Sequence, residues 1–384
     1  MGDEQRPNRT FDHAFDRLYS YCRASGYRGW DNFDGLNSLL FRNSPLYHSP
    51  FLRLAWTQFF KRSPINFRAA AQVPKGYNPK GLALFVNGLV AKGACDEAQQ
   101  LVRQLQGMTS SGYSGTSWGY NFDWQSRNFL TPAGTPNAVT TVFVANAMLD
   151  YYAVTGDASA LEAALGGCRF LLENLVLFED GTTMCVGYMP GNATRVHNVN
   201  MLVAAALARV ARIIGNRGYL EKSRKAMRYS VKAMRPDYSW PYGESSFQQF
   251  IDSFHTGFNL VSLKRWMEFA EEQTWEKELR KGYQYYLEHF WLEDGCPRYY
   301  HDSLYPIDIH CSAQGILTCL ELSAQSPESL PLADRIARWA IEHMQDETGY
   351  FYYQKHRAFT NKIPYIRWSQ AWMFCALSRL AAGR

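Results

Sequence analysis

Apolar residues recur at positions i, i+3, i+4 and i+7 along most of the chain, which is the spacing of helix faces rather than of strands. This pattern predicts about thirteen helices and leaves little sequence for strands, so the chain is expected to be all-α. The predicted helices cover residues 10–24, 49–61, 79–92, 96–108, 137–155, 158–174, 198–214, 217–233, 254–271, 274–290, 308–324, 331–345 and 366–382.

Two kinds of predicted helix alternate along the chain. Helices of the first kind are apolar nearly all round, and the clearest are Val139–Val154, Val199–Ile214 and Ile366–Leu380. Helices of the second kind carry Lys, Arg and Glu on one face, as in Tyr219–Met234, Trp275–Phe290 and Leu332–Met344. A helix that is apolar all round is buried, whereas an amphipathic helix has one face in water.

The starts of the buried helices form a repeat. They are marked by Pro79, Pro136, Asn198, His255, His310 and Arg367, which are spaced by 57, 62, 57, 55 and 57 residues. Six units, each a buried helix followed by a half-exposed one, predict a closed ring of six helical hairpins. The last unit lacks its outer helix, so an N-terminal helix within residues 1–30 is expected to pack on the ring. Residues 1–384 would then form a single domain.

An aromatic stretch with Gly or Pro precedes most of the buried helices. The five clearest are Ser117–Tyr120, Cys185–Tyr188, Ser239–Gly243, Cys296–Tyr300 and Gly349–Tyr353. Short β-hairpins fit these stretches. In a closed ring all of them lie at one mouth, beside the N-termini of the inner helices, and we expect the functional site there.

The mouth combines backbone N–H groups, aromatic rings and polar side chains. Converging helix N-termini favour an anion, and sugars need aromatic faces for their C–H groups together with polar partners for their hydroxyls. The expected substrate-binding residues are Trp118, Tyr120, Trp124, Asn137, His197, Asn198, Trp240, Tyr242, Tyr365, Arg367 and Trp368. Arg367 would hold a carboxylate or phosphate, whereas ordinary ion pairs or solvated positions are expected for Lys80 and Arg195.

Five residues are candidates for acid/base catalysis: Asp123, Glu244, Asp252, His255 and His310. Glycoside cleavage needs two carboxyl groups, so Glu244 or Asp252 would be the acid and Asp123 or His255 the base. Epimerisation needs an acid and a base on opposite faces of one carbon. His197, His255, His310 and Tyr365 could supply that pair. A purely structural role is the alternative for several of these residues, as helix N-caps for Asn78, Thr135 and Asp252 and as a core residue for each single histidine.

Composition and charge exclude several other classes. The chain is 46% hydrophobic and 20% charged with a net charge of +5, and it has no block of Lys and Arg, so no nucleic-acid partner is expected. The eight cysteines stand singly, without metal spacing, and no nucleotide-binding or metalloprotease motif occurs. We therefore expect no metal and no cofactor. No leader-like or membrane-spanning run is found, which predicts a cytoplasmic protein that is not integral to a membrane. The oligomeric state stays open.

Several motifs carry a family resemblance that covers nearly all the chain from about residue 30. They are Trp118–Gln125, Thr135–Asn137, Ser239–Glu244, Ile251–Phe258, Asp308–His310 and Tyr365–Trp368. The chain resembles the six-hairpin, or (α/α)6-toroid, superfamily of carbohydrate-active proteins, and within it bacterial exopolysaccharide-biosynthesis proteins of the VpsJ type. The resemblance implies an (α/α)6 barrel and a role in a polysaccharide gene cluster. It assigns no reaction, because hydrolases, lyases and epimerases share this ring.

Three functional hypotheses follow. The first is an enzyme of exopolysaccharide biosynthesis or modification that processes an acidic, uronic-acid-containing sugar or oligosaccharide by acid/base catalysis. The second is a sugar or uronate epimerase of the same fold. The third is a non-catalytic glycan-binding protein of a polysaccharide assembly system.

Overall fold

The computed structural model of the protein describes residues 6–126 and 129–382, and it is mostly helical. In chain order the helices are α1 (Arg6–Ala24), α2 (Leu39–Arg42), α3 (Pro50–Arg62), α4 (Pro79–Ala91), α5 (Cys95–Gln106), α6 (Ala138–Thr155), α7 (Ala158–Asn174), α8 (His197–Ile214), α9 (Arg217–Val231), α10 (Ser253–Ala270), α11 (Glu276–His289), α12 (Ile309–Glu321), α13 (Ser329–Met344) and α14 (Trp372–Ala382). A π-helical turn, Ile366–Ala371, leads into α14.

The helices that are apolar all round form the inner barrel. In the described chain the six inner helices pack in the order α4, α6, α8, α10, α12 and α14, and α14 packs back against α4. The seam is tight, because Gly88 of α4 lies so close to Phe374 of α14 that a Cβ there would sit 2.6 Å from the phenyl ring. The ring is therefore closed, as the repeat predicted.

The amphipathic helices form the outer layer. Helices α5, α7, α9, α11 and α13 each pack against the inner helix that precedes them in the chain. The outer position beside α14 is taken by α1, which also contacts α13. Phe15 and Phe374 join these two ends of the chain, with ring centroids 5.0 Å apart.

Short strands lie beside the inner-helix N-termini. Strands β1 (Trp124–Gln125) and β2 (Leu130–Thr131) pair, as do β3 (Val176–Glu179) and β4 (Met184–Val186). Strands β5 (Ile307–Asp308), β6 (Gln354–Lys355) and β7 (Thr360–Asn361) form a three-stranded sheet. The stretches around Trp240 and Tyr299 make only isolated bridges, such as Val196 to Gly243 and Asp252 to Tyr300.

The segment between α1 and α4 crosses the mouth, an arrangement that the repeat does not encode. It contains α2, α3 and two single-turn 3₁₀ helices. Arg68 anchors it to the ring, because its Nη1 donates to the Tyr365 hydroxyl at 3.0 Å while its Nε donates to Asp34 Oδ1 within the same segment at 2.6 Å. None of the described helices is long and apolar enough to cross a membrane.

Candidate active site

An aromatic layer forms the floor of the mouth. Phe143, Phe258 and Trp372 project from three inner helices, and Phe258 and Trp372 lie with their ring centroids 5.5 Å apart. Below this layer the lower half of the barrel contains a small cavity of about 90 Å³. The layer therefore separates the mouth, with its ring of helix N-termini, from the lower half of the barrel.

Asp252 and His255 form a hydrogen-bonded pair at the start of α10. Asp252 is the N-cap, and its Oδ1 accepts from the His255 backbone N–H at 2.8 Å. Its Oδ2 lies 2.7 Å from His255 Nδ1. Asp252 is buried whereas His255 is 21% exposed, and Nε2 makes no hydrogen bond to any described residue. The carboxylate thus fixes the imidazole with Nδ1–H towards Asp252 and leaves Nε2 available for proton transfer.

His310 lies one inner helix further round the ring. It is 1% exposed, and neither ring nitrogen has a hydrogen-bond partner among the described residues. Its ring stacks on Phe254, with centroids 4.6 Å apart, and the ring of His255 packs against Phe254 too. Burial lowers the pKa of His310 well below its ordinary value, and the charges of Lys80 and Arg367 lower it further. His310 is therefore a neutral imidazole to which no described residue is hydrogen-bonded through the ring.

Lys80 lies at the centre of the floor, contrary to the ion pair or solvated position expected from the sequence. It is 4% exposed, and its Nζ lies 4.3 Å from the centroid of Phe143. No described carboxylate lies within ion-pair distance of this amine. Burial and the nearby Arg367 charge lower the pKa of Lys80 well below its ordinary value. An anion at the floor would favour protonation of this amine.

Arg367 is already paired. Its Nε donates to Asp31 Oδ2 at 2.6 Å and its Nη2 to Asp31 Oδ1 at 2.8 Å, and both side chains are 3% exposed. The guanidinium lies 5.0 Å from the Tyr120 ring centroid. Asp31 neutralises the charge that the sequence assigned to an anion clamp. The sequence did not indicate Asp31, because this residue lies outside the sixfold repeat.

Asp308 is a second buried carboxyl beside His310. Its Oδ1 caps α12 by accepting from the His310 N–H at 2.8 Å, and Gln354 and Trp368 donate side-chain N–H groups to it. Burial outweighs these hydrogen bonds and raises the pKa of Asp308 to about 6.

This shift predicts a pH dependence of stability. The folded-state pKa of about 6 exceeds the ordinary 3.8, so the folded protein binds this proton more tightly than the unfolded chain. The stabilisation is complete below pH 3.8 and is lost as the pH rises through 6. In Asp308→Asn, urea unfolding should depend less on pH across this window than in the wild type. An identical slope in both proteins would contradict the assignment to Asp308.

Asp123 and Glu244 lie away from the histidines, each held by other side chains. Asp123 accepts from Arg42, from the Tyr47 hydroxyl at 2.6 Å and from the Ala133 N–H at 2.8 Å. Burial alone would raise the pKa of Asp123, but these hydrogen bonds outweigh it and lower the pKa. Glu244 is 41% exposed and pairs with Arg195 at 3.2 Å. The lowered pKa keeps Asp123 ionised, whereas a general acid must hold its proton.

Four of the predicted binding residues make contacts that stabilise the fold. Trp118 and Trp240 are fully buried, and their Nε1 groups donate to the backbone carbonyls of Leu105 and Ser230. Tyr365 is also fully buried. Asn137 is the N-cap of α6, accepting from the Thr140 N–H at 2.8 Å.

Other aromatic residues are half-buried and line the opening. Tyr242 stacks on Phe250 and packs 4.5 Å from the ring of His255. Tyr120 stacks on Phe122, and its hydroxyl lies 3.3 Å from that of Tyr188. These rings, together with Trp124 and Trp368, leave part of their surface accessible. Tyr188 and Phe250 were not predicted as binding residues, although both lie in the turns before the inner helices.

His197 and Asn198 begin α8 and are nearly fully buried. His197 Nδ1 and Asn198 Oδ1 lack hydrogen-bond partners among the described residues. Burial lowers the pKa of His197 to about 4. Within the described chain, no group of three or more His, Cys, Asp or Glu residues could hold a metal ion.

Comparison with known proteins supports the fold. No protein-family model matches the chain, and no curated protein is significantly similar in sequence. An unsaturated glucuronyl hydrolase specific for heparin has a similar structure, with a TM-score of 0.64 at 11% identity over 98% of this chain and 96% of that chain. Cellobiose 2-epimerase from Bacillus thermoamylovorans B4167 has a TM-score of 0.61 at 11% identity, covering 80% and 89% of the two chains.

A third similar structure is a family 76 α-mannanase of Bacteroides thetaiotaomicron. Its TM-score is 0.59 at 12% identity, with 79% of this chain and 85% of the mannanase covered. At such low identity these similarities show the fold and not the reaction. The chain is an (α/α)6 barrel.

Proposed function

We propose that this protein is a carbohydrate-active enzyme that epimerises or isomerises a sugar by proton transfer at the carbon next to a carbonyl group. The observation that carries the proposal is the arrangement of Asp252, His255 and His310, in which two imidazoles with free ring nitrogens pack against one phenylalanine. Two sugar epimerases and a D-mannose isomerase are among the proteins of similar fold.

The two histidines have complementary environments. His310 is held neutral by burial, so it can accept the proton that leaves the substrate carbon. His255 acts in its doubly protonated form, in which Nδ1–H donates to Asp252, the carboxylate balances the imidazolium charge, and Nε2–H returns a proton from solvent to the opposite face of the same carbon. One proton leaves and one arrives, and solvent returns the imidazoles to their starting states between turnovers. Asp252 acts as a positioning residue in this scheme.

The mouth also supports an acidic sugar as substrate. Lys80 lies at the floor of the mouth, where no described carboxylate pairs with it, and the N-termini of the inner helices also favour an anion there. We propose Lys80, rather than Arg367, as the partner of a substrate carboxylate. A role in exopolysaccharide synthesis in the cytoplasm, as the family resemblance implies, is part of the same proposal.

Hydrolysis is the second candidate, and Asp308 favours it. A carboxyl whose pKa is raised to about 6 can serve as the proton donor of a glycosidase. The similar fold of the unsaturated glucuronyl hydrolase is consistent with this reading. Its weakness is the lack of a second free carboxyl group beside Asp308.

Proton NMR in heavy water distinguishes these reactions directly. The protein is incubated with glucuronate, N-acetylglucosamine and glucuronate-containing oligosaccharides, with heat-denatured protein as the control. We expect loss of one ring-carbon proton signal by deuterium exchange, together with signals of the epimer or ketose. New reducing ends would support hydrolysis, and vinylic signals would indicate a lyase. Line broadening without any new signal would contradict catalysis and support a glycan-binding protein.

A further inference from the structure

An exposed apolar surface lies on the segment that crosses the mouth. Among the described residues, sixteen large hydrophobic side chains are exposed, and seven of them fall within positions 39–67. They are Leu39, Leu40, Leu46, Phe51, Phe59, Ile65 and Phe67. Clustering of this kind marks an interaction surface, whereas single exposed apolar residues need no explanation.

The centre of this surface is one face of α3. Phe51 is 74% exposed and Phe59 47% exposed, and both lie on the same side of the helix as Ala55 and Arg62. Thr57 and Phe60 point the other way and are buried. Phe67 extends the surface beyond the helix, because its ring stacks on Phe59 with centroids 5.5 Å apart. We call Phe51, Phe59, Ile65 and Phe67 the α3 patch.

The charge around the α3 patch has one sign. From Gly35 to Cys95 the chain contains eight Lys and Arg residues and no Asp or Glu. On α3, Arg62 is exposed on the same face as Phe51 and Phe59, and it forms no ion pair with a described carboxylate. Arg53 is turned instead towards Gln125, and Lys61 towards the Phe33 ring. Two copies meeting through this patch in a twofold dimer would bring the two Arg62 side chains together, which opposes self-association.

We propose that the α3 patch binds the surface of a lipid bilayer that contains anionic lipids. Phenylalanine and isoleucine enter the boundary between head groups and acyl chains, while Arg62 beside them binds a head-group phosphate. The helix lies parallel to the membrane surface, since its opposite face stays packed on the protein. Attachment is peripheral and reversible, and it does not depend on the reaction proposed above.

Sedimentation with lipid vesicles tests this proposal. Vesicles of phosphatidylcholine and phosphatidylglycerol in a ratio of about 7:3 are compared with vesicles of phosphatidylcholine alone. We expect at least about tenfold stronger partitioning into the anionic vesicles, and a loss of most of this binding at about 0.5 M NaCl. Phe51→Ser with Phe59→Ser should weaken binding to anionic vesicles by about tenfold or more.

The matched control is Phe247→Ser, because Phe247 is 77% exposed but lies outside the α3 patch. It should bind vesicles like the wild type, and circular dichroism should show that all variants unfold at similar urea concentrations. No binding to anionic vesicles by the wild type would overturn the proposal. Equal binding by the wild type and by the double variant with Phe51→Ser and Phe59→Ser would also overturn it. So would a wild-type dimer in sedimentation velocity that these two substitutions dissociate, if the wild type does not bind vesicles.

Discussion

His255→Asn is expected to abolish deuterium exchange into the sugar, with a loss of about 10²- to 10⁴-fold, while the protein stays folded. The asparagine amide nitrogen occupies nearly the position of Nδ1 and can still donate to Asp252 Oδ2, so the local hydrogen bond survives. What disappears is Nε2, the nitrogen that would exchange a proton with the substrate. The measurement is the exchange rate by proton NMR, combined with urea unfolding.

The variant Asp252→Asn tests whether Asp252 positions His255 for proton transfer or only caps α10. Asparagine caps helices as well as aspartate does, so α10 should keep its N-terminus. Its amide no longer stabilises a charged His255, and the exchange rate and its pH profile should both change. His343→Asn on α13 is the control, since His343 Nδ1 contacts only the Trp339 carbonyl on the outer layer. Wild-type rates in both the His255 and Asp252 variants would rule out this pair as the catalytic centre.

Asp31→Asn is expected to destabilise the protein by about 3–5 kcal/mol, because it leaves the buried Arg367 guanidinium without a counter-ion. The same substitution removes the Asp31 charge that raises the pKa of the nearby Lys80. The free energy of unfolding is measured by urea denaturation at neutral pH.

The double variant Asp31→Asn with Arg367→Gln provides the decisive comparison. This double variant leaves no buried charge without a partner, so it should recover much of the stability that Asp31→Asn loses. The two substitutions should therefore show a strong coupling energy. The surface pair of Glu328 and Arg335 serves as the control, because both side chains are more than a third exposed. Glu328→Gln should cost less than about 1 kcal/mol. A double variant no more stable than Asp31→Asn would refute the ion-pair argument.

The fold could be predicted because the pattern of apolar and polar residues repeats along the chain. Inner and outer helices differ in how much of their surface is apolar, and this difference repeats six times along the chain. The starts of α8, α10 and α12 fall within two residues of the markers Asn198, His255 and His310. The segment between α1 and α4 has no counterpart in the repeat, so its short helices and its position over the mouth could not be predicted.

The site was harder to predict, because residue type does not reveal exposure. Trp118 and Trp240 lie in the same kind of turn as Tyr242, yet they face the core whereas Tyr242 faces the opening. A charged side chain does not reveal its partner either. Arg367 is paired with Asp31 from more than 300 residues away, whereas Lys80 has no such partner in the part of the chain that the structure describes.

The sixth hairpin is built from both ends of the chain, and this governs the order of folding during synthesis. Helix α1 is made before the rest of the barrel but must wait for α14, the last of the inner helices to be made, before its apolar face is covered. The contact of Asp31 with Arg367 likewise joins residues separated by 336 positions. Contacts over such separations form late and slowly, because a long loop must close first. The barrel therefore closes only after α14 has been made, and the segment over its mouth is fixed in the same step.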